Sequence, residues 1–307
     1  MPSVLPTTTL RSLTLSAEIL PGTAFLAAGS GLVIIGDHLV VAADDAVHLG
    51  VFAGGSDAPG SLFRLRDEPL SADPVARKRQ KPDFEVLTSL PPSRPFPTGA
   101  LLAMGSGSTP NRQTAVIIPI TSAGALEHEV HHRDLRALYD LLRDRCGEVN
   151  VEGAFVQDGD LVVISRGNGS APDNHVARYR LAAITRWLGG NDREVVSPTS
   201  VVPMRLDAID GVPLGVTDAA AHPDGGWVFS AVAEDTADSY NDGALTGAVI
   251  GRVAGDGSLE TVARLSPTAK VEGIVASRAV GHTRLTMVTD ADDPTTPASL
   301  LIAYLPD

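Results

Sequence analysis

Five acid or hydroxyl residues occupy the same place in five similar stretches of the 307-residue sequence, 54 to 67 residues apart. They are Ser30, Glu85, Glu152, Asp218 and Glu272. If these residues meet, their carboxylates repel one another unless something compensates the charge. A bound cation would make a Ca²⁺ site, a raised pKa would make a general acid, and neighbouring Lys or Arg would make a salt-bridged structural plug.

Basic and amide side chains stand close to these acids. Two of the three lysines, Lys81 and Lys270, precede an acid of the set. The stretch 105–108 is rich in glycine and serine, so its backbone N–H groups together with Arg112 predict an anion-binding loop. An ordinary Gly-rich turn whose arginine pairs with the acids is the alternative. The side chains predicted to bind a substrate are Ser30, Lys81, Asn111, Arg112, Arg166, Asn168 and Lys270.

A repeated hairpin places these residues. Residues 30–41 and 152–163 align without a gap, and both read as strand, tight polar turn and strand. Looser copies run over 83–104, 217–229 and 271–288. Since the two strands of a hairpin are antiparallel, the start of the first lies beside the end of the second. The acids at the ends of second strands, at 44–45, 234–235 and 290–293, are therefore expected to join the same cluster.

The repeats predict one all-β domain over residues 1–307, a single closed β-propeller of about five four-stranded blades, with six as the alternative. They lie near 28–70, 82–145, 149–210, 213–268 and 269–305. The last repeat is one strand short, so the N-terminal strand at 8–20 is expected to close the ring. A β-sandwich, or a barrel with an appendage, would not repeat one hairpin five times.

Two stretches depart from the strand pattern. Leucines three and four residues apart predict a short helix at 132–143, in an insertion of the second blade. The basic run 77–81 is interpreted as a solvated loop, with a contribution to anion binding as the alternative.

Composition excludes several classes of function. The net charge is −13 and no long basic run exists, which excludes a nucleic-acid partner. No apolar run approaches the ~18 residues needed to cross a membrane, and the start does not read as a signal peptide, so a cytoplasmic protein is expected. The single cysteine, Cys146, allows no intrachain disulfide. Nothing in the sequence predicts the oligomeric state.

Three strand starts, at 81–85, 151–154 and 270–273, resemble those of esterase-like, phytase-type β-propellers, and the chain is similar to bacterial members of that group. The resemblance implies Ca²⁺ at the channel mouth, with Glu85, Glu152, Asp218 and Glu272 as its ligands. It also implies that Lys81, Arg112, Arg166 and Lys270 bind the anion. The predicted five blades depart from the six of such phytases, and a secreted phytase would carry a signal peptide.

Together these features predict a hydrolase that acts on a phosphorylated or other anionic small molecule with help from a divalent cation. Its catalytic residues would be Glu85, Glu152 and Glu272, and either Glu152 or Glu85 would position or deprotonate water. One alternative is a non-catalytic propeller that binds a small ligand or a protein. Another is a metal-independent lyase or sugar-processing enzyme that uses a pair of carboxyl groups as acid and base.

Overall fold

The computed structural model of the chain describes residues 3–19, 22–168, 171–235 and 243–306. Two short strands open this part of the chain, β1 (Ser3–Pro6) and β2 (Thr8–Ser12). Twenty further strands follow, and together the described strands form five sheets, which we number blades one to five in chain order. The strands of each blade run mostly antiparallel and follow one another in the sequence, so hairpin connections build nearly all of the fold.

Three blades are four-stranded and take all of their strands from one continuous stretch. Blade one contains β3 (Gly29–Ile35), β4 (His38–Ala43), β5 (His48–Ala53) and β6 (Ser61–Arg64). Blade two contains β7 (Phe84–Leu90), β8 (Ala100–Gly105), β9 (Thr114–Pro119) and β10 (His131–Asp134). Blade three contains β11 (Val151–Gln157), β12 (Asp160–Ser165), β13 (Asn174–Arg180) and β14 (Ser200–Met204).

The last two blades each include an N-terminal strand. Blade four contains β15 (Ala208–Ile209), β16 (Val212–Ala221), β17 (Trp227–Asp235), β18 (Ala244–Val253) and β19 (Leu259–Ser266), and β1 pairs parallel to β19. Blade five contains β20 (Val271–Ala279), β21 (His282–Thr289) and β22 (Ser299–Pro306), and β2 pairs antiparallel to β22. The strand predicted at 8–20 therefore does complete the last blade, over a shorter range.

In the described ranges three α-helices connect strands, α1 (Pro74–Gln80), α2 (Arg136–Cys146) and α3 (Leu181–Leu188), and one turn of 3-10 helix spans Pro110–Arg112. Helix α2 corresponds to the helix predicted at 132–143, displaced towards the C-terminus because residues 131–134 form β10. Helix α1 begins at a favourable start, since the Asp73 side chain accepts a hydrogen bond from the Ala76 N–H and Pro74 fills the first turn. The solvated loop expected at 77–81 is thus mostly helical.

The hydrophobic core lies between neighbouring blades. Each of five clusters of buried side chains combines residues from two consecutive blades, and the fifth joins blade five to blade one through Val288, Leu300 and Leu32. Strands such as β8 are buried on both faces, which explains why Ala100–Met104 reads as a continuous apolar run.

The first main strand of each repeat lies innermost. These inner strands are β3, β7, β11, β16 and β20, and they contact one another in cyclic order, β20 meeting β3. The approach is close. A Cβ atom at Gly273 in β20 would lie 2.9 Å from the Leu32 nitrogen in β3, and one at Gly31 would lie 2.9 Å from the Leu87 nitrogen in β7. Glycine is required at both positions because neighbouring backbones occupy the space of a side chain.

The chain is therefore all-β with a propeller-like arrangement of its sheets. The prediction of five four-stranded blades holds for four of the sheets, whereas the fourth has six strands because β1 and β15 extend it. Among the described residues, no helix is long and apolar enough to span a bilayer.

Candidate functional site

One residue in each inner strand interrupts the pairing with the second strand. The register shifts there by one residue, which is a β-bulge, and the bulged residues are Ser30, Glu85, Glu152, Thr217 and Glu272. Four of them are the residues aligned in the sequence. In blade four the equivalent residue is Thr217, so the sequence alignment that selected Asp218 is wrong by one position.

The hydroxyl residues and Asp218 do not line the cavity that contains the three glutamates. Ser30 Oγ donates to the Phe84 carbonyl over 2.5 Å, and Thr217 Oγ1 donates to the Val271 carbonyl over 2.5 Å. The Asp218 carboxylate accepts the N–H groups of Ala219 and Ile274, at 2.7 and 2.8 Å. The predictions that Ser30 binds a substrate and that Asp218 joins the other metal ligands are therefore wrong. Both side chains are engaged in hydrogen bonds with backbone groups instead.

The three glutamates line a cavity of about 530 Å³. Acids from the ends of second strands join Glu85, Glu152 and Glu272 there, as the hairpin geometry requires: Asp44, Asp45, Glu234, Asp235, Asp290, Asp292 and Asp293. Of the predicted substrate-binding side chains, the same cavity receives Lys81, Arg112, Arg166, Asn168 and Lys270. Most of the side chains predicted to form the site, although distant in the sequence, therefore line one cavity.

Asp83 links the basic residues of blade two, and sequence analysis did not include it in the site. Its Oδ1 lies 2.8 Å from Lys81 Nζ and its Oδ2 lies 2.7 Å from Arg112 Nη1. Lys81 also contacts the Asp44 carboxylate. Burial would lower the pKa of Lys81, but Asp44 and Asp83 outweigh burial and raise it. Both cations are thus held by carboxylates.

A second network crosses the cavity between blades three, four and five. Arg166 Nη2 lies 2.6 Å from Glu234 Oε2 and its Nη1 lies 3.9 Å from Glu152 Oε1. Lys270 Nζ lies 3.1 Å from Glu272 Oε1 and 3.4 Å from Glu234 Oε1. Burial would raise the pKa of Glu234, but Lys270 and Arg166 outweigh burial and lower it. Glu234 is therefore the ionised partner that fixes both cations.

Two acids of blade five complete the surroundings of Lys270. Its Nζ lies 2.6 Å from Asp292 Oδ1 and 3.9 Å from Asp290 Oδ2. Burial and the charge of Glu272 raise the pKa of Asp290 to about 9. One ammonium therefore faces four carboxyl groups, and raised proton affinity compensates part of their repulsion.

Glu85 differs from the other acids of the cavity. In the described part of the chain its carboxyl group makes no ion pair and no hydrogen bond. Burial, followed by the charges of Asp83 and Glu152, raises its pKa well above the ordinary value. Glu152 accepts a hydrogen bond from Asn150, and burial raises its pKa to about 8 against the opposing effect of Arg166. The cavity thus holds two neighbouring carboxyl groups whose affinity for protons is raised.

The remaining predicted residues support the cavity wall. Asn111 lies outside the lining, and its side chain donates to the Lys81 carbonyl over 2.9 Å, which holds the backbone at Lys81. Asn168 lines the cavity and donates to the Glu148 carboxylate.

Arg77 and Lys78 of α1 also line the cavity, and Arg77 Nη1 lies 3.9 Å from Asp45 Oδ2. The interpretation of this basic run as solvent-facing is wrong for these two side chains.

The predicted calcium ligands do not come together as a set of four, since Asp218 is held by backbone N–H groups elsewhere. Instead, Asp44, Asp83 and Glu85 each place one carboxylate oxygen within 4.8 Å of the others. Lys81 contacts two of the three, so its ammonium supplies positive charge at this cluster. Calcium binding remains a prediction.

Comparison with protein families gives one match. A model described as a family of unknown function, DUF6910, matches residues 77–294, which is more than half of the chain. No curated protein sequence matches the chain significantly.

Solved structures with a similar fold share little sequence with the chain. A glutaminyl cyclase of Myxococcus xanthus is 12% identical with a TM-score of 0.51, over 99% of this chain and 100% of that one. A putative phosphatase of Bacteroides thetaiotaomicron is 11% identical with a TM-score of 0.43, over 98% and 79% of the two chains. An arabinanase of Bacillus subtilis is 12% identical with a TM-score of 0.41, over 91% and 94%. The likeness to the cyclase shows the fold alone, and none of these comparisons assigns the chain to the phytase-type propellers.

Proposed function

Since the chain belongs to the DUF6910 family, whose function is unknown, we propose a function from the chemistry of its cavity: acid–base hydrolysis of a small polar molecule by carboxyl groups. Glu85 is the proton donor and Glu152 the proton acceptor. The proposal includes a closed ring of five blades, which the contact between β20 and β3 supports. Without that contact, the residues of blades one and five would not share one cavity.

The charge balance of the cavity favours a neutral or cationic substrate. Six cations line it, and five of them are each ion-paired with an acid: Arg77, Lys81, Arg112, Arg166 and Lys270. An anionic substrate would have to displace a carboxylate from one of these pairs, at a cost that buried partners make large. The acids outnumber the cations, so hydroxyl and amino groups of a ligand find acceptors without breaking a pair.

Glu85 suits the role of general acid. Burial and the charges of Asp83 and Glu152 raise its pKa, which favours the protonated form that a general acid needs to transfer a proton to a leaving group as the bond to that group breaks. Within the described residues nothing else binds its oxygens, so they remain accessible to a ligand. The position of this carboxyl group in the cavity, without an ion pair or hydrogen bond among the described residues, is the observation on which the proposal depends.

Glu152 suits the role of general base because its pKa of about 8 is close to neutral pH. The Asn150 amide donates to Glu152 Oε1 and fixes the side chain. When Glu152 is ionised it can take a proton from an attacking water, and Arg166, 3.9 Å away, stabilises the charge. Lys270 and Glu234 remain paired and shape the wall without exchanging protons.

A substrate panel with matched variants tests the proposal. Neutral and cationic glycosides, amides and esters are assayed with the wild-type chain, with Glu85→Gln and with Asp235→Asn, which changes an exposed carboxylate at the same cavity. We expect kcat to fall at least ~100-fold in Glu85→Gln and to change little in Asp235→Asn. Full activity of Glu85→Gln would remove this residue from the mechanism. Binding without turnover across the panel would favour the non-catalytic alternative.

A second candidate function is the cation-assisted hydrolysis of an anionic molecule, and the cluster of Asp44, Asp83 and Glu85 favours it. These three residues would hold Ca²⁺, whose usual ligands are carboxylate oxygens. Lys81 and Arg112, which now pair with Asp83, would then be released to bind a phosphoryl group. Hydrolysis of phosphate esters that depends on Ca²⁺ would support this candidate over the first.

A further inference from the structure

Two hydroxyl groups tie neighbouring inner strands together immediately beside a cavity glutamate. Ser30 Oγ in blade one donates to the carbonyl of Phe84 in blade two, and Phe84 precedes Glu85. Thr217 Oγ1 in blade four donates in the same way to the carbonyl of Val271 in blade five, which precedes Glu272. The same bond therefore occurs twice, each time towards the next blade in cyclic order.

Asp218 adds a second tie on the other side of Glu272. Its Oδ2 accepts the N–H of Ile274, two residues after Glu272, over 2.8 Å. The backbone around Glu272 is thus held at residue 271 by Thr217 and at residue 274 by Asp218. Burial strengthens both ties, since Thr217 is fully buried and Asp218 is 5% exposed.

These hydrogen bonds lie where the backbone lacks ladder hydrogen bonds within its sheet. Each glutamate lies at a β-bulge, where the extra residue has no ladder partner on the second strand. The inner strands of different blades belong to separate sheets and share no ladder either. The direction in which a bulged side chain points therefore depends on the backbone carbonyl just before it, and that carbonyl is the one each hydroxyl holds.

We propose that Ser30 and Thr217 are positioning residues for the cavity, Ser30 for Glu85 and Thr217, with Asp218, for Glu272. The role of this positioning in catalysis rests on the proposed function. The test therefore measures the surroundings of the two glutamates and requires no turnover. The arrangement assigns a role to Ser30 and Asp218, which the sequence predicts as site residues although neither lines the cavity.

The test uses ¹³C NMR of the side-chain carboxyl groups in glutamate-labelled protein at one fixed pH, with Glu85→Gln and Glu272→Gln to identify the two resonances. Thr217→Val removes the hydroxyl and keeps the shape of the side chain, whereas Thr217→Ser keeps the hydroxyl. Ser30→Ala and Ser30→Thr form the corresponding pair in blade one, and the threonine at 217 shows that this slot accommodates a β-branched side chain.

We expect Thr217→Val to shift the Glu272 resonance and leave that of Glu85 in place, and Ser30→Ala to do the reverse. Thr217→Ser and Ser30→Thr should restore the wild-type positions. If a substrate is in hand, Ser30→Ala should also lower kcat about 10- to 100-fold with little change in KM, as a small misplacement of a reacting group does.

Resonances of both glutamates that stay unchanged in folded Thr217→Val and Ser30→Ala would overturn the proposal. So would equal shifts of both in either variant, since a general loss of stability would not select one blade. If Thr217→Val does not fold, Asp218→Ala replaces it, since alanine removes both acceptor oxygens, and an unmoved Glu272 resonance there has the same meaning. A correct shift pattern in a protein without turnover would retain the positioning role and reject the proposed function.

Discussion

The guanidinium of Arg112 donates to Asp83 Oδ2 over 2.7 Å, and both side chains are only 4% exposed. The pair lies at the wall of the cavity, and Ser106 Oγ also donates to the same oxygen over 2.5 Å. Asp83 adopts a positive φ of 56°, which turns the chain so that its carboxylate faces both Arg112 and Lys81. Asp83 therefore combines a positive φ with a carboxylate whose two oxygens each contact a cation.

Asp83→Asn should destabilise the protein by about 3 kcal/mol, because removing one partner of a buried ion pair leaves the remaining charge uncompensated. Asparagine also tolerates a positive φ, so the backbone is not the cause. The free energy of unfolding in urea measures the loss. Asp224→Asn, which removes an exposed partner of Arg278, is the control and should cost less than about 1 kcal/mol. Equal losses in the two variants would contradict the prediction.

The stability of the folded chain should decrease as pH rises from about 6 to 9. The pKa of Glu152 is raised to about 8 and that of Asp290 to about 9, whereas the unfolded chain releases these protons near pH 4. Between those limits the unfolded state binds fewer protons, so increasing pH favours unfolding. The melting temperature should fall on the order of 5 °C over this range, and Glu152→Gln should weaken the dependence. A melting temperature that rises between pH 6 and 9 would argue against the raised pKa values.

Turnover should depend on pH through both carboxyl groups. We expect kcat/KM to increase as Glu152 loses its proton, with a midpoint near its pKa of about 8, and to decrease at higher pH when Glu85 ionises. Initial rates between pH 5 and 10.5 with any substrate found in the panel measure this. A flat profile from pH 6 to 10 would exclude the pair as acid and base.

Calcium should raise the melting temperature if the second candidate function is correct, and EDTA should reverse the effect. Saturation at 100 times the dissociation constant would add about 2.7 kcal/mol of stability. Asp44→Asn should remove the response because it removes one of the three clustered carboxylates, whereas Asp235→Asn should retain it. Melting curves that are identical with calcium and with chelator would eliminate the metal site.

Gly273→Ala should cost about 1–3 kcal/mol through overpacking, since the new Cβ would lie 2.9 Å from the Leu32 backbone nitrogen. Gly255→Ala is the matched control, because there no atom comes closer than 4.0 Å. Urea unfolding of both variants measures the difference. If alanine is accepted equally at both positions, blades five and one are not as close as described.

Much of the fold follows from local patterns in the sequence. The alternation of strand and tight turn identifies the hairpins, and their antiparallel geometry brings Glu85, Glu152 and Glu272 into one cavity. The parallel pairing of β1 with β19 joins residues more than 250 positions apart, and no local pattern marks it. Helix α1 has a start signal at Asp73 and Pro74 but no buried apolar residue, so periodicity could not reveal it.

The site was predicted less completely than the fold. Thr217 and Asp218 are adjacent and both polar, and only the register with β17 shows which of them is bulged. Polarity alone therefore selected the wrong neighbour. The importance of Asp83 was also hidden, because its contacts to Lys81 and Arg112 depend on a turn with positive φ rather than on residue spacing.

Strands β1 and β2 are synthesised long before their partners β19 and β22, which end at residues 266 and 306. During synthesis of the intervening blades, β1 and β2 have no partner strands to pair with. The sheets of blades four and five can therefore be completed only after β19 and β22 have been synthesised. A nascent chain arrested before residue 299 would carry β2 unpaired, and a protease acting on that chain would cleave there before it cleaves the completed blades.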